Sequence, residues 1–260
     1  MASGPRRSRS RAPGARLRLI TSAPPAPADT FSALGVKISV MSAEELTAAL
    51  LAGPRQSLPL RVHFATARTL LHAAKDIDLR EALNEADLVL PADASLALLG
   101  RLKGKQVRRL SATRALLAVL ERSGERGYRH FFLTGDPERN QELVEALRGR
   151  SPGLEIFGAS APPLADLAWR EIEALAARIN EPAPDYVWLG LRSPQQDDWL
   201  AGFRPLLDAP VIIAVGESLE RLTEAGIPSR SLAGLRRLAA AAGTAFSILR
   251  LLVASLRLRS

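Results

Sequence analysis

The stretch RHFFLTGDPERNQELVEALRGRSPGLEIFGAS, residues 129–160, decides the fold class of this chain. An apolar, strand-like run ends at Thr134 and Gly135, and Asp136 followed by Pro137 is a signal for the start of a helix. A second apolar run follows that helix after Ser-Pro-Gly. Because two strands joined through a helix lie parallel in one sheet, the stretch predicts a β-α-β unit.

The same alternation of strand-like and helix-like segments extends from residue 59 to residue 215. It predicts an α/β fold with a mainly parallel, Rossmann-like sheet, helices on both of its faces and a C-terminal helical appendage. A short strand and a helix capped by Ser42 and Glu45 would open the domain. Ligands bind at the carboxyl ends of parallel strands. Candidate site residues therefore belong to the loops after Ala65, Pro91, Leu133, Leu191 and Val215.

The positive charge of the chain is concentrated at its two ends. Residues 1–28 and residues 230–260 each hold six Arg and no acidic residue, whereas the rest of the chain holds 23 basic and all 27 acidic residues. Because a nucleic-acid binder usually carries its basic patch on the folded domain, we predict no nucleic-acid partner. Basic ends suit an anionic membrane surface, and solubilising tails are the alternative. We divide the chain into a disordered basic tail (1–30), an α/β domain (31–228) and a basic helical appendage (229–260).

The composition also bounds the chemistry of a site. The chain has no Cys, which excludes disulfides, thiolate zinc sites and a cysteine nucleophile. Its three histidines, His63, His72 and His130, are scattered, so each is interpreted as a packing or surface residue and no metal site is predicted. We find neither the apolar core of a signal peptide nor an apolar run long enough to span a membrane.

The loop GLRSPQQDDWL, residues 190–200, follows the apolar strand PDYVWL and combines a helix start with several polar side chains. Ser193 can cap a helix, and Gln196 would complete a Ser-x-x-Gln capping box. Free N–H groups at such a helix start hold phosphates, and Arg192 would add a bidentate phosphate donor. The loop is therefore a candidate phosphate site, and an ordinary capped helix after a strand is the alternative.

Two further loops hold candidate residues. Gly135 after Thr134 would let the backbone approach a nucleotide closely, and an ordinary strand–helix turn is the alternative. Asp93 stands at the end of a strand, where a general base is commonly placed. The alternative for Asp93 is a simple helix N-cap, a role that Ser95 could equally take.

Four segments carry a resemblance to a known family: EALNEADLVLPADASLALLGRL, ERGYRHFFLTGDPE, PDYVWLGLRSPQQDDWL and PVIIAVGESLERL. In this order they resemble the WecG/TagA/CpsF family of bacterial glycosyltransferases over about residues 33 to 225. The most specific piece runs from Pro184 to Trp199, where an acidic residue, Asp197, stands at the family's acidic position. The positions identical to the family pattern in this piece include Gly190, Leu191, Pro194, Gln196 and Trp199.

The resemblance implies transfer of a sugar, N-acetylmannosamine-type or a uronic acid, from a UDP-sugar to a polyprenyl-diphosphate-linked acceptor in cell-surface polysaccharide synthesis. It implies a metal-independent transferase without a cofactor, located at the cytoplasmic, inner face of the bacterial plasma membrane. The basic C-terminal helix would contact that membrane, and homo-oligomer formation is left open. The candidate catalytic residues are Asp93, as general base, and Gln196, which would hydrogen-bond the donor. The candidate substrate-binding residues are Thr66, Thr134, Gly135, Gly190, Arg192, Ser193 and Asp197.

The chain also departs from the family pattern. The ungapped partner of the family's proposed base is Ala92, with Asp93 one residue later, and Arg114 replaces the acid of a Thr-Gly-Ser-Asp motif. The alternative function is therefore a catalytically degenerate paralogue that binds a nucleotide-sugar or a glycolipid, or serves as a scaffold. A dinucleotide-dependent enzyme is a weaker alternative because the Gly-x-Gly-x-x-Gly fingerprint is missing.

Overall fold

A computed structural model of the chain describes residues 29–224 except 57, 161–165, 193–195, 197–198 and 200–203. The predicted C-terminal appendage lies outside the described residues, as does the predicted tail up to residue 28. The described strands and longer helices follow one another in the order β1 (Asp29–Ala33), β2 (Val36–Val40), α1 (Ala43–Ala52), β3 (Leu60–Ala65), α2 (Ala67–Ala73), α3 (Ile77–Asn84), β4 (Leu88–Pro91), α4 (Ala94–Leu102), α5 (Ala112–Ser123), β5 (Arg129–Thr134), α6 (Pro137–Arg150), β6 (Glu155–Ser160), α7 (Trp169–Asn180), β7 (Tyr186–Gly190), β8 (Val211–Ala214) and α8 (Ser218–Glu224). Short 3-10 turns occupy Gly53–Arg55, Gly124–Arg126 and Arg204–Leu206.

Six strands form one parallel sheet in the order β4-β3-β8-β7-β5-β6, which confirms the predicted fold class. The strands β4, β7 and β8 are buried along their whole length. Such strands read as continuous apolar runs because helices cover both faces of a parallel sheet. This is the reason that the β-α alternation was visible in the sequence.

Alternate strand residues pack against helices on opposite faces of the sheet. On one face, Val62, Phe132 and Trp188 belong to a buried cluster with side chains of α1, α5, α6 and α8. On the other face, a cluster formed with β1, β2, α2, α3 and α4 includes Val89. A third cluster includes Leu189 and is formed with α7 on that same face. Burial of these apolar side chains is the main source of stability of the sheet.

A two-stranded antiparallel sheet, β1-β2, precedes the parallel sheet. Its turn places Leu34 and Gly35 at positive φ, 51° and 81°, as in the two-residue hairpins that match strand twist. Ser39 Oγ in β2 accepts a hydrogen bond from the Val89 N–H in β4, which holds the hairpin beside the edge strand. The sequence pattern predicted β2 only, and β1 begins at Asp29, inside the span expected to be the tail.

Helix starts follow the local capping signals. Ser42 and Glu45 form the predicted capping box at α1, with hydrogen bonds of 3.1 and 2.7 Å. Asp136 caps α6 ahead of Pro137, as predicted. Helix α7 begins at Trp169, where the Ala168 N–H donates to Glu171 Oε2 at 2.7 Å.

Among the described residues, no helix is both long enough and apolar enough to cross a membrane.

Candidate active site

The strand order brings the predicted loops to one edge of the sheet. From one side to the other, this edge consists of the carboxyl ends of β4, β3, β8, β7, β5 and β6. The chain leaves β5 towards β6 and leaves β7 towards β8, in opposite directions, so the boundary between β5 and β7 is a topological switch point, where ligands of such sheets bind. Thr134 and Gly190 are register partners there. Since neighbouring strands lie about 4.8 Å apart, the ends of β4 and β5 are separated by roughly 19 Å.

Asp93 follows the edge strand β4 and holds two helices together. Its Oδ1 accepts a hydrogen bond from the Leu96 N–H at 2.9 Å, which makes it the N-cap of α4. Its Oδ2 accepts from the Ala67 N–H at 2.7 Å, at the start of α2. The predicted cap is therefore confirmed, and Asp93, not Ser95, provides it. Because each carboxylate oxygen has two lone-pair sites, two acceptor sites of Asp93 remain.

Thr66 lies next to this carboxylate, since Ala67 follows it in the chain. Its Oγ1 accepts a hydrogen bond from the Thr69 N–H at 3.3 Å, so Thr66 is the N-cap of α2. The Thr66 and Thr69 hydroxyls are also 3.1 Å apart. The structure thus brings Thr66 and Asp93 together at the ends of β3 and β4, where Thr66 has a capping role that was not predicted.

Gln196 reaches from the segment after β7 to the end of β8. Its side-chain Oε1 accepts a hydrogen bond from the Gly216 N–H at 2.7 Å, and its backbone N–H donates to the Arg192 carbonyl at 2.9 Å. Only 4% of Gln196 is exposed. The side-chain oxygen of Gln196 therefore stabilises the turn after β8. Ser193, its predicted partner in a capping box, lies outside the described residues.

Arg192 is paired with a carboxylate that sequence reasoning did not include in the site. Its Nε and Nη2 both lie 2.7 Å from Glu220 Oε2 in α8. The Glu220 side chain is 9% exposed, whereas that of Arg192 is 61% exposed. The sequence signal for Glu220 is that it belongs to PVIIAVGESLERL, one of the four segments that carry the family resemblance. The guanidinium is thus held at the carboxyl edge with part of its surface open to a ligand.

Gly190 is explained by packing. A Cβ at this buried position would contact Leu219 Cδ1 and would lie 2.6 Å from Leu219 Cγ. The missing side chain therefore lets α8 approach the end of β7, and this space is filled by Leu219. Gly190, a candidate substrate-binding residue, could therefore contact a substrate only through its backbone.

Thr134 and Gly135 differ in accessibility. Thr134 is buried, and its Oγ1 donates a hydrogen bond to the Asp136 carbonyl at 3.0 Å, so this hydroxyl stabilises the turn after β5. Gly135, which directly follows β5, is exposed. Asp136 Oδ1 accepts from the N–H groups of Glu138 and Arg139, in the first turn of α6. Of this loop, Gly135 is the residue open to a ligand.

The remaining predicted residues are either undescribed or outside the edge. Ser193 and Asp197 lie outside the described residues.

His63 and His130 are buried in strands, where burial lowers the pKa of each imidazole to about 3, and both therefore stay neutral at physiological pH. Within the described part of the chain, no group of three or more His, Cys, Asp or Glu side chains could hold a metal ion.

Comparisons with known proteins give one family and one relative. Residues 31–227 match the family model described as the glycosyl transferase WecG/TagA/CpsF family. The chain is 27% identical over 139 residues to the N-acetylglucosaminyldiphosphoundecaprenol N-acetyl-beta-D-mannosaminyltransferase of Bacillus spizizenii. The match covers 53% of this chain and 52% of that relative, so the chain spans about half the length of the curated relative it matches.

Proposed function

We infer that this chain, which belongs to the glycosyl transferase WecG/TagA/CpsF family, transfers a sugar from a UDP-sugar to a polyprenyl-diphosphate-linked acceptor. The name of the relative supports a donor sugar of the N-acetylmannosamine type and an acceptor of the N-acetylglucosaminyl-diphosphate-lipid class. A uronic acid of the same sugar is included in the proposal. The product would be a lipid-linked precursor of a cell-surface polysaccharide.

One geometric relationship carries the proposal. Asp93 is fastened to Ala67 after β3, and Gln196 is fastened to Gly216 after β8. Because β3 and β8 are neighbours in the sheet, these two anchor points lie just beyond the carboxyl ends of adjacent strands. A carboxylate and an amide from segments about a hundred residues apart in the sequence therefore flank the same part of the carboxyl edge, where ligands of such sheets bind.

In this proposal Asp93 acts as the general base. The acceptor hydroxyl attacks the anomeric carbon of the donor sugar and passes its proton to a free lone pair of the Asp93 carboxylate. A carbon–oxygen bond forms to the acceptor, and the bond between the anomeric carbon and the β-phosphate oxygen breaks, so that UDP leaves. Because backbone N–H groups hold both carboxylate oxygens, the base would be oriented before the acceptor binds.

Gln196 and Arg192 would bind the donor. The NH2 group of the Gln196 amide, whose Oε1 accepts from Gly216, would donate to phosphate or sugar oxygens of the donor. The exposed part of the Arg192 guanidinium, or Arg residues from position 230 onward, would balance the charge that develops on the departing diphosphate. Thr66, Gly135 and the undescribed Ser193 and Asp197 complete the proposed donor pocket.

The location and assembly of the protein are part of the same proposal. A lipid-linked acceptor requires contact with a membrane, and we assign this contact to the basic helix predicted in residues 229–260, at the cytoplasmic face. Assembly into a homo-oligomer is compatible with this arrangement.

The experiment that tests the function is product analysis by mass spectrometry. The purified chain is incubated with UDP-N-acetylmannosamine and a prenyl-diphosphate-linked N-acetylglucosamine in detergent, with and without EDTA. We expect a disaccharide on the lipid in both conditions, and UDP-glucose and UDP-galactose serve as control donors. A product that forms only without EDTA would contradict the metal-independent mechanism.

A second function is favoured by the same carboxylate. Asp93 already caps α4 and fastens α2, and the family's acidic positions hold Ala92 and Arg114. In a degenerate paralogue, Asp93 would have this structural role alone, and the chain would bind a nucleotide-sugar or a glycolipid without turnover. Donor-dependent thermal stabilisation without any lipid-linked product, across a panel of UDP-sugars, would identify this case.

A further inference from the structure

A basic stripe lies on the folded domain, although the central part of the chain is acidic overall. Residues 94–120 contain six basic residues and no acidic residue. One of the six, Lys105, pairs with Asp29 at 2.6 Å. We define the basic stripe as the other five residues, which are all exposed: Arg101, Lys103, Arg108, Arg109 and Arg114.

The charges of the basic stripe are not neutralised by neighbouring carboxylates. In the part of the chain that the structure describes, no ion pair involves any of its five side chains, and Arg101 Nε donates only to the Ala97 carbonyl at 3.3 Å. Leu102 lies between Arg101 and Lys103 and is 64% exposed, the largest exposure among the large apolar side chains described. The stripe therefore combines unneutralised positive charge with an exposed aliphatic side chain.

The backbone that carries the stripe is anchored to the domain. The Lys105 N–H donates to the Gly100 carbonyl at 3.0 Å, and the Leu110 N–H donates to the Pro91 carbonyl at 2.9 Å. Val107 is buried close to Gly100 and Phe31. The segment thus runs from the end of α4 back to the carboxyl end of β4, two residues before Asp93. Leu110, which follows Arg109 in the chain, is therefore bonded to the strand end that precedes the proposed catalytic base.

We propose that the basic stripe and Leu102 form a contact surface for an anionic lipid membrane, separate from the C-terminal helix. Positive side chains near an anionic lipid surface attract it, and an exposed leucine can enter the interface between headgroups and acyl chains. Nucleic acid is disfavoured as the partner because an exposed leucine among the charges gives no advantage on a phosphate backbone. The orientation rests on the proposed function, because a membrane placed here presents a lipid-linked acceptor to Asp93.

The test compares two variants of the full chain that lose the same charge. R101Q/K103Q/R108Q removes three charges from the basic stripe while sparing Arg109 and Arg114, which flank the Leu110 anchor in the sequence. R122Q/R170Q/R178Q removes three exposed charges from α5 and α7 as the matched control. Binding is measured by co-sedimentation with vesicles of phosphatidylcholine containing one third phosphatidylglycerol, at low and high salt. Circular dichroism and thermal unfolding confirm that each variant is folded.

Each basic residue near an anionic surface strengthens binding by a factor of about five, so the loss of three basic residues should weaken vesicle binding by up to roughly a hundredfold. We expect at least a tenfold weaker binding for the stripe variant, little change for the control variant, and loss of the difference at high salt. Leu102→Ser should weaken binding without changing the salt dependence. Equal losses for the stripe and control variants would overturn the proposal.

Two further measurements distinguish a membrane surface from a nucleic-acid surface and from a part of the catalytic machinery. Retention of a single-stranded oligonucleotide that depends on the stripe, without a corresponding effect on vesicles, would overturn the proposal in favour of a nucleic-acid surface. Vesicle binding is measured without donor or acceptor, so its result does not depend on whether the chain has transferase activity. In detergent, R101Q/K103Q/R108Q should turn over a short-chain acceptor like the wild type, and loss of this turnover would overturn a role limited to membrane contact.

Discussion

Asp93 Oδ2 accepts a hydrogen bond from the Ala67 N–H at 2.7 Å, so the carboxylate that follows β4 also holds the helix that follows β3. Its second oxygen caps its own helix through Leu96. A single side chain therefore fixes two loops at the carboxyl edge, and any base catalysis by Asp93 takes place on a carboxylate that the fold has already oriented. Stability and turnover can be separated experimentally at this residue.

Replacement of Asp93 should separate the two roles. Asp93→Ala removes the α4 cap and the hydrogen bond to the Ala67 N–H, and should lower the free energy of unfolding by about 2 kcal/mol. Asp93→Asn keeps the α4 cap, because Asn is also a good N-cap, and should cost about 1 kcal/mol. Since Asn cannot accept a proton, Asp93→Asn should lower turnover by about 100-fold or more. Chemical denaturation and the transfer assay give the two quantities.

Asp76→Ala is the matched control for the capping role. Asp76 caps α3 through the Leu79 N–H at 3.0 Å and is not one of the candidate site residues. Its replacement should cost about 1 kcal/mol of stability and leave turnover unchanged. Unchanged turnover in Asp93→Asn would remove the residue as the base and support the degenerate paralogue.

Gln196 should affect the donor more than the fold when only its amide nitrogen is changed. Gln196→Glu keeps an oxygen for the Gly216 N–H but loses the N–H donors, so we expect a raised KM for the UDP-sugar with little loss of stability. Gln196→Ala leaves the Gly216 N–H unpaired and should cost about 1–3 kcal/mol of stability. An unchanged donor KM in Gln196→Glu would show that the amide does not contact the donor.

The contact of Gly190 with Leu219 should make any side chain at position 190 destabilising. Gly190→Ala places a methyl group against Leu219 and should cost about 1–3 kcal/mol. The double variant Gly190→Ala/Leu219→Ala should recover part of this loss relative to the sum of the single changes. Gly149→Ala, at a position with no atom within 4 Å of an added Cβ, is the control and should be neutral or slightly stabilising. Strict additivity of the two single changes would show that the residues do not contact one another.

The buried histidines should make the protein less stable in acid. The pKa of His63 and that of His130 are each lowered by burial from 6.5 to about 3, so below pH 6.5 the unfolded chain takes up protons that the folded chain does not. Stability should therefore fall between about pH 6.5 and pH 3, by about 1.4 kcal/mol per pH unit for each histidine. Replacing either histidine by Leu should reduce this slope, as measured by denaturation at several pH values.

The two replacements should differ at neutral pH. No described group accepts from or donates to the His63 ring nitrogens, so His63→Leu removes two buried polar atoms without a partner and should stabilise the fold by about 1–3 kcal/mol. His130 Nδ1 accepts from Trp188 Nε1 at 3.2 Å, so His130→Leu leaves that indole N–H unpaired and should destabilise the fold. The same sign for both variants would contradict this assignment of partners.

The sequence predicted the features whose causes are local. The caps at Ser42 and Asp136 were predictable because their partners lie two or three residues away. The parallel sheet was predictable because strands buried on both faces are continuous apolar runs. Strand β1 was not predicted because it directly follows a segment rich in Pro, Ser and Arg. It is defined by its pairing with β2, which the sequence pattern does not show.

The contacts within the site could not be predicted in the same way. Asp93 and Ala67 are 26 residues apart, Gln196 and Gly216 are 20 apart, and Arg192 and Glu220 are 28 apart. These pairs meet only because the strand order places β3 beside both β4 and β8, and β8 beside β7. Periodicity and capping signals carry no information on that order, so the site residues were predicted and their mutual contacts were not.

The most direct test of the central claim is acceptor-dependent release of UDP by the wild-type chain and by Asp93→Asn, measured side by side in EDTA. We predict that the wild-type chain releases UDP from UDP-N-acetylmannosamine only when the lipid-linked acceptor is present, and that Asp93→Asn binds the donor but releases UDP at least about 100-fold more slowly. Donor binding by the wild-type chain without any acceptor-dependent release would contradict a glycosyltransferase and leave a binding protein on the same fold.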